Sequence, residues 1–115
     1  DVIGKKIGFK EVICNSLELD NNIITGKLIN KIIDRESKFK ALKKRMFKLN
    51  LNNEESIAVG DGDNDIDMIH YANIGIAWRA YPKVKEVANL SLNKNFKNIL
   101  YLQGYTDKEI ICRLI

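Results

Sequence analysis

The sequence predicts an α/β fold in which helices flank a parallel sheet. Short apolar runs of strand length alternate with segments whose apolar residues recur every three or four positions, as in parallel-sheet proteins. The clearest apolar run, SIAVG at 56–60, is followed at once by acidic residues and then by a helical pattern. With 115 residues, 45% apolar and 30% charged, the chain has the composition of one ordinary globular domain or part of one.

The first half of the chain is predicted to contain three short strands and one long helix. The apolar run 12–14 predicts a buried strand, and the runs 17–19 and 23–28 predict two strands joined by a polar turn. In the segment 36–49 the apolar residues recur every three or four positions, which indicates an amphipathic helix. The residues of this apolar face are Phe39, Leu42, Met46 and Leu49.

The second half alternates strands with shorter helices, and this alternation is the main reason to expect a parallel sheet. In the helix that follows the acidic residues, Ile66, Ile69 and Met68 are expected to face inward. The predicted elements are, in order, a turn at 50–55, strand 56–60, helix 64–72, strand 74–77, helix 83–88, strand 90–92, and helices at 96–102 and 106–115.

Four aspartates and one asparagine crowd the stretch AVGDGDNDIDM at 58–68, where the best strand ends. Ligands of open α/β sheets bind beyond the carboxyl ends of strands, and Asp61 follows the strand directly between two glycines that allow a tight turn. Crowded carboxylates repel one another unless a cation lies among them, and oxygen ligands suit Mg²⁺. We therefore expect Asp61 to be functional, whereas Asp63 and Asp67 suit the capping of a helix start.

Other motifs for phosphate or metal do not match. An EF-hand loop begun at Asp61 would need glycine where Ile66 stands and glutamate where Ala72 stands. A Walker A loop fails because Asn21 and Leu28 occupy the places of its first glycine and its Ser or Thr. The sequence contains neither GxSxG nor HExxH.

Charge, hydropathy and cysteine content argue against several classes of partner. The net charge is +4, but the lysines are spread over 38–48 and 83–97, which favours solvated helix faces over a nucleic-acid patch. The longest apolar runs are too short to cross a membrane. Cys14 and Cys112 stand far apart without a CxxC motif, so we expect no disulfide scaffold, no zinc site and a cytoplasmic location.

The stretch VGDGDND resembles GDGxND, the fourth signature motif of haloacid dehalogenase-superfamily phosphatases. Three more stretches resemble the phosphoserine phosphatase branch, namely IGFKEVICNSLELDNNIITGKL, IIDRESK and GIAWRAYPKVKEVAN. The family's motif III lysine precedes the GDG aspartate by 23 residues, and Lys38 and Asp61 have this separation. Sugar-phosphate phosphatases of the Cof type share the motif and the spacing, but the segment that contains ITG favours the phosphoserine phosphatase-like branch.

The resemblance implies roles for four residues. Asp61 matches the aspartate that ligates Mg²⁺, and Asp65 matches the acidic residue that supports the metal shell. Asn64 matches the asparagine that contacts the substrate phosphate, and Lys38 matches the lysine that neutralises the phosphoryl group. A cation at a helix start opposes the helix dipole, so Lys38 is best explained if it contacts an anion there.

Other residues of similar type are expected to lie outside the site. His70 is expected to pack or to face solvent, since the sequence shows no partner for it. Trp78 and Arg79 differ from the family pattern, and the sequence assigns them no role. Four lysines of the long helix are expected to face solvent: Lys40, Lys43, Lys44 and Lys48.

The chain departs from the family in its first motif, DxDx(T/V), which supplies the nucleophilic aspartate. Here DxD occurs only at 61–63, 63–65 and 65–67, all within the fourth motif. The resemblance thus implies that residues 1–115 are the C-terminal part of a single hydrolase domain whose sheet lacks its central strand, which leaves 57–59 with an unpaired edge. In the whole enzyme an aspartate would attack the phosphoryl group, and water would hydrolyse the resulting aspartyl-phosphate.

Two functions remain open on this basis. The first is a Mg²⁺-dependent hydrolase of a small phosphorylated metabolite such as phosphoserine, with the missing N-terminal half as a partner in trans. The second is a non-catalytic domain of the same ancestry that binds metal, phosphate or a partner. A DxDx(T/V) stretch encoded immediately upstream of the chain would support the first.

Overall fold

A three-stranded parallel sheet with helices packed against it forms the core, so the predicted α/β class is confirmed. The computed structural model describes residues 2–114, with side chains up to residue 111. The strands are β1 (Leu17–Asp20), β2 (Ile23–Leu28), β3 (Ile57–Gly60), β4 (Ile74–Trp78) and β5 (Leu90–Leu92). The helices are α1 (Val2–Lys6), α2 (Arg35–Lys48), α3 (Ile66–Tyr71), α4 (Pro82–Val87), α5 (Asn98–Leu102) and α6 (Asp107–Leu114).

The parallel sheet has the strand order β3-β4-β5. Gly60 lies opposite Ala77, and Ile76 lies opposite Leu90. Parallel neighbours need a crossover, and α3 and α4 supply the two crossovers, as the sequence predicts. Because all three strands run in the same direction, the residues that follow β3 and β4 meet at one edge of the sheet. Within the described residues, β3 is paired only on the side of β4.

The core lies between the sheet and α3. Ile69, Ala77 and Val84 are fully buried in one cluster, and Ile66 and Met68 pack against it, so the predicted inward face of α3 is confirmed. Helix and sheet approach closely because β4 carries Gly75 at the contact. A Cβ atom at Gly75 would overlap the carbonyl oxygen of Ile69 and lie 2.8 Å from Ile69 Cγ2.

The long helix α2 begins at a side-chain cap. The Asp34 Oδ1 atom accepts hydrogen bonds from the Ser37 hydroxyl at 2.6 Å and from the Ser37 backbone N–H at 2.8 Å. Both bonds hold the pKa of Asp34 below its ordinary value, and the bond from the hydroxyl has the larger effect. The cap thus stabilises the fold above the usual carboxyl pKa and loses this effect as the pH falls through the lowered one. The helix ends at Lys48, one residue before its predicted end, so Leu49, which was predicted to belong to the apolar face, is half-exposed.

The strands β1 and β2 form the predicted hairpin. They pair antiparallel, with Asp20 opposite Ile23, and are joined by Asn21 and Asn22. Both asparagines have positive φ, 48° and 65°, as tight hairpin turns require, and asparagine tolerates this region better than most residues. All residues of the hairpin strands are exposed.

The predicted strand at 12–14 is wrong. These residues have no regular structure, because no strand among the described residues lies beside them to supply ladder hydrogen bonds. Val12 packs instead against α1, where a Cβ atom at Gly4 would overlap its side chain. The sequence did not predict α1, a helix of five residues.

Smaller differences concern the ends of elements and the cysteines. The predicted helix at 64–72 starts as the 3₁₀ turn Asp63–Asp65 and continues as α3. Helix α4 begins at Pro82, one residue earlier than predicted. Proline suits this first helical position because the backbone N–H that it lacks would have no partner within the helix. The side chain of Cys112 lies outside the described residues, so the predicted lack of a disulfide stays a prediction. None of the described helices has the length and apolar character that crossing a membrane requires.

We predict that Gly75→Ala destabilises the fold by about 1–3 kcal/mol, the usual cost of overpacking a core. The added methyl group would meet backbone of α3, which cannot move aside as a flexible side chain can. Thermal unfolding measured by circular dichroism tests this, with Ser91→Ala as the control at an exposed position of β5. Equal melting temperatures for the two variants would contradict the close contact.

Candidate active site

The acidic loop, residues 61–67, follows β3 at the carboxyl edge of the sheet and folds around the carboxylate of Asp65. Asp65 is only 4% exposed. Its Oδ2 atom accepts hydrogen bonds from the backbone N–H groups of Asp61, at 3.2 Å, and Gly62, at 3.3 Å. A Cβ atom at Gly60 would overlap the Asp65 side chain, so glycine is required there. One buried carboxylate therefore determines the path of the loop.

Lys38 reaches the acidic loop from the first turn of α2. Its Nζ atom lies 2.7 Å from Asp65 Oδ1, and its side chain is 31% exposed. The structure thus brings Lys38 and Asp65 together across 27 residues of sequence. The anion that Lys38 contacts here is Asp65, while its contact with phosphate stays a prediction.

A second ion pair joins α2 to the acidic loop. The guanidinium of Arg35 donates a hydrogen bond to Asp67 Oδ1. This bond holds the pKa of Asp67 below its ordinary value and raises the pKa of Arg35. The pair thus contributes stability above the usual carboxyl pKa and loses it as the pH falls through the lowered one. Asp67 lies in the first turn of α3, as predicted, but the sequence did not reveal its partner.

Asp61 is the carboxylate of the loop best placed for a ligand. Its side chain is exposed and makes no hydrogen bond or ion pair with any residue that the structure describes. Its carbonyl oxygen accepts the Tyr81 N–H at 3.2 Å, which ties the loop to the start of α4. Asn64 is exposed on the same loop. Its side chain lies close to Gly62, since a Cβ atom added there would be 3.3 Å from Asn64 Oδ1.

The donor set of the loop fits a hard divalent cation. Asp61 and Asp63 form no ion pair with a described residue, so two negative charges of the loop are not neutralised by a direct partner. Mg²⁺ typically takes one or two protein carboxylates and completes its shell with water and substrate phosphate. The described residues bring no three acidic, His or Cys side chains together for a metal. The loop can therefore supply Mg²⁺ with a carboxylate but not with a full protein shell.

An open groove of about 610 Å³ lies beside Asp61. Its walls are largely apolar and include Val59 of β3 and the rings of Trp78 and Phe96, whose centroids are 4.8 Å apart. The groove therefore runs along β3 and reaches the start of the acidic loop.

Trp78 and Arg79 have structural contacts that the sequence did not reveal. The Arg79 guanidinium lies 5.4 Å from the Trp78 ring, and its Nε donates to the Asn93 carbonyl oxygen at 3.0 Å. Arg79 adopts a positive φ of 47°, and its backbone N–H donates a hydrogen bond to the carbonyl oxygen of Leu92. These contacts tie the end of β4 to the end of β5.

His70 and four lysines of α2 face solvent, as predicted; the lysines are Lys40, Lys43, Lys44 and Lys48. Lys43 nevertheless has a contact beyond the prediction, because its Nζ lies 5.3 Å and 5.7 Å from the ring centroids of Phe39 and Tyr71. Lys40 forms an ion pair with Glu36 on its own helix. Neither contact involves the acidic loop.

Comparison with known proteins finds similarity over most of this chain. A phosphoserine phosphatase of Mycobacterium tuberculosis is 42% identical over 100 residues, which cover 86% of this chain and 24% of that protein. A phosphoserine phosphatase of Lactococcus lactis is 37% identical over 108 residues, which cover 94% and 49%. The chain thus spans between about a quarter and a half of the length of these relatives.

Solved structures show the same fold. A substrate-bound phosphoserine phosphatase superposes with a TM-score of 0.81 and 31% identity, covering 88% of this chain and 49% of that one. A probable phosphoserine phosphatase from Vibrio cholerae superposes with a TM-score of 0.83 at 22% identity, covering 90% and 32%. The model of the haloacid dehalogenase-like hydrolase family matches residues 9–101. The chain therefore belongs to the haloacid dehalogenase-like hydrolases.

Proposed function

We propose that the chain provides the phosphate-binding and metal-binding part of a Mg²⁺-dependent phosphomonoester hydrolase of the phosphoserine phosphatase type. The observation that carries the proposal is the buried carboxylate of Asp65, which holds Lys38 Nζ at 2.7 Å and two loop amides at once. Asp65 thus joins Lys38 to the loop that carries the exposed side chains of Asp61 and Asn64. This loop lies at the carboxyl edge of a parallel sheet. Ligands of such sheets bind at this edge.

Lys38 is suited to stabilise charge on a phosphoryl group. An ammonium group has three N–H donors, and Asp65 occupies one of them in the structure. The others are available to phosphoryl oxygens, whose charge must be stabilised during transfer. Since its Nζ is partly buried, the interaction would be stronger than at an open surface. Asp65 acts through Lys38 and the loop amides, so its role is to position them.

Asp61 is the residue that would hold Mg²⁺. Its carboxylate has no partner among the described residues and lies at the end of β3. When bound, Mg²⁺ neutralises and polarises the phosphoryl oxygens. Asn64, on the same loop, would donate its side-chain amide to the phosphate. Asp65 cannot easily replace Asp61, because both of its oxygens are occupied by protein donors.

The proposed substrate is phosphoserine, which hydrolysis converts to serine and phosphate. The similarity to phosphoserine phosphatases over most of the chain supports this choice. The cysteine pattern supports a cytoplasmic location. Serine production would then be the metabolic role of the whole protein.

The nucleophile of the reaction would come from a segment outside these 115 residues. Two observations support this proposal: the DxD pattern occurs only within the acidic loop, and no strand of the described residues pairs with the second edge of β3, beside the groove. Many large apolar side chains also lie exposed around the hairpin and α1, as expected of a surface that another segment covers. A strand of that segment would pair with β3.

We predict that Asp61→Asn abolishes Mg²⁺-dependent hydrolysis of phosphoserine in the natural protein that contains this sequence. The substitution removes the charge that attracts Mg²⁺ but keeps the size of the side chain. Asp63→Asn is the matched control, because Asp63 is an exposed aspartate of the same loop. Activity of Asp61→Asn near that of the control would refute the assignment of Asp61 as a ligand.

We predict that Lys38→Ala reduces phosphatase activity far more than Lys44→Ala does. Lys44 is an exposed lysine of the same helix and a better control than Lys43, which contacts two rings. Lys38→Ala also leaves the buried Asp65 without its cation, so its melting temperature should fall as well. Activity must therefore be assayed well below both melting temperatures. Equal activities there would show that Lys38 has no role in catalysis.

We predict that the 115-residue chain alone does not turn over phosphoserine or p-nitrophenyl phosphate. Activity should appear when a segment with the DxDx(T/V) motif is joined to it or added in trans. Phosphate release and sedimentation with and without that segment provide the measurement. Turnover by the chain alone would contradict the proposed source of the nucleophile, whereas Mg²⁺ or phosphate binding without any turnover would favour a binding domain.

A further inference from the structure

Two basic residues of α2 contact the acidic loop side by side. Arg35 and Lys38 are separated by three positions and so share one face of the helix. Lys38 holds Asp65, and Arg35 holds Asp67 at the start of α3. The two ion pairs together connect the first turn of α2 to the segment in which the acidic loop becomes α3.

The Arg35–Asp67 pair differs from the Lys40–Glu36 pair of α2 in what it joins. Its side chains are 49% and 41% exposed, and such surface pairs contribute little to stability. The Lys40–Glu36 pair is similarly superficial, at 70% and 62%, but links residues one turn apart on the same helix. Arg35 and Asp67 belong to different elements. Their pair therefore constrains where α2 lies relative to α3 more than it stabilises the fold.

Arg35 also limits the choice of partner for Lys38. The loop offers Lys38 several carboxylates within a few residues, and only Asp65 is buried. Arg35 already pairs with Asp67 and so removes one of these carboxylates from the choice. The buried Asp65 remains the partner of Lys38.

We propose that Arg35 is a positioning residue of the phosphatase site, which fixes the start of α2 against α3 so that Lys38 Nζ stays on Asp65. The inference rests on the proposed function for its effect on catalysis, but not for its effect on the loop. A displacement of about 1 Å in a reacting group can cost about 100-fold in rate, so a pair of little energetic value can matter to activity.

The first test measures the loop itself. In Arg35→Ala, a more mobile Lys38 should loosen Asp65 and thus the two N–H groups that donate to it, those of Asp61 and Gly62. Amide hydrogen exchange of these two groups, followed by NMR in the natural protein, should become several-fold faster. Lys40→Ala is the control and should leave their exchange unchanged. Arg35→Lys should restore most of the protection, because it keeps the charge.

The second test measures catalysis in the same variants. Arg35→Ala should lower kcat about tenfold, within the range of a small misplacement, with the melting temperature close to that of Lys40→Ala. Adding Asp67→Ala to Arg35→Ala should cause no further loss, since the two residues act as a pair. Exchange and kcat in Arg35→Ala equal to those in Lys40→Ala would overturn the proposal. If the unmodified protein hydrolyses no phosphomonoester, the proposed function fails, and hydrogen exchange alone still decides the role of Arg35.

Discussion

The buried carboxylate of Asp65 is the interaction on which the candidate site depends. A charged group in the interior is tolerated only if it is paired and hydrogen-bonded, and Asp65 meets both conditions. Its two oxygens face different elements, since one binds Lys38 of α2 and the other binds amides of its own loop. The constraint extends to Gly60, because any side chain there would occupy the space of the carboxylate. The first glycine of the GDGxND motif is thus required by packing.

The close packing of α3 on the sheet determines where this carboxylate lies. Gly75 lets α3 approach β4 until the Ile69 backbone touches it, and α3 begins where the acidic loop ends. The parallel direction of β3, β4 and β5 then puts the acidic loop and Arg79 at one edge. Small residues in the core and charged residues at the edge are therefore parts of the same arrangement. A change in the depth of α3 would move Asp65 and, through it, Lys38.

Patterns that depend on neighbours in sequence were predicted well, and those that depend on neighbours in space were not. The periodicity of α2 and the Asn21-Asn22 turn are local properties, and both elements formed as expected. A strand at 12–14 needed a partner strand that periodicity cannot supply, and it did not form. The contact between Lys38 and Asp65 could not be read from the sequence alone, although the family resemblance pointed to both residues. The pairing of Arg35 with Asp67 had no local signal, because it joins two elements.

The distribution of charge in the acidic loop explains how so many carboxylates can share one strand end. Two of them have dedicated cations on α2, and these are the two that hold the loop and α3 in place. Among the described residues, neither Asp61, which lies nearest to the end of β3, nor the exposed Asp63 has such a partner. Repulsion within the loop is thereby reduced without neutralising the carboxylate that a metal would need. The cations on α2 are thus paired with the carboxylates that hold the loop in place, and the exposed carboxylate at the end of β3 stays available for the ligand proposed there.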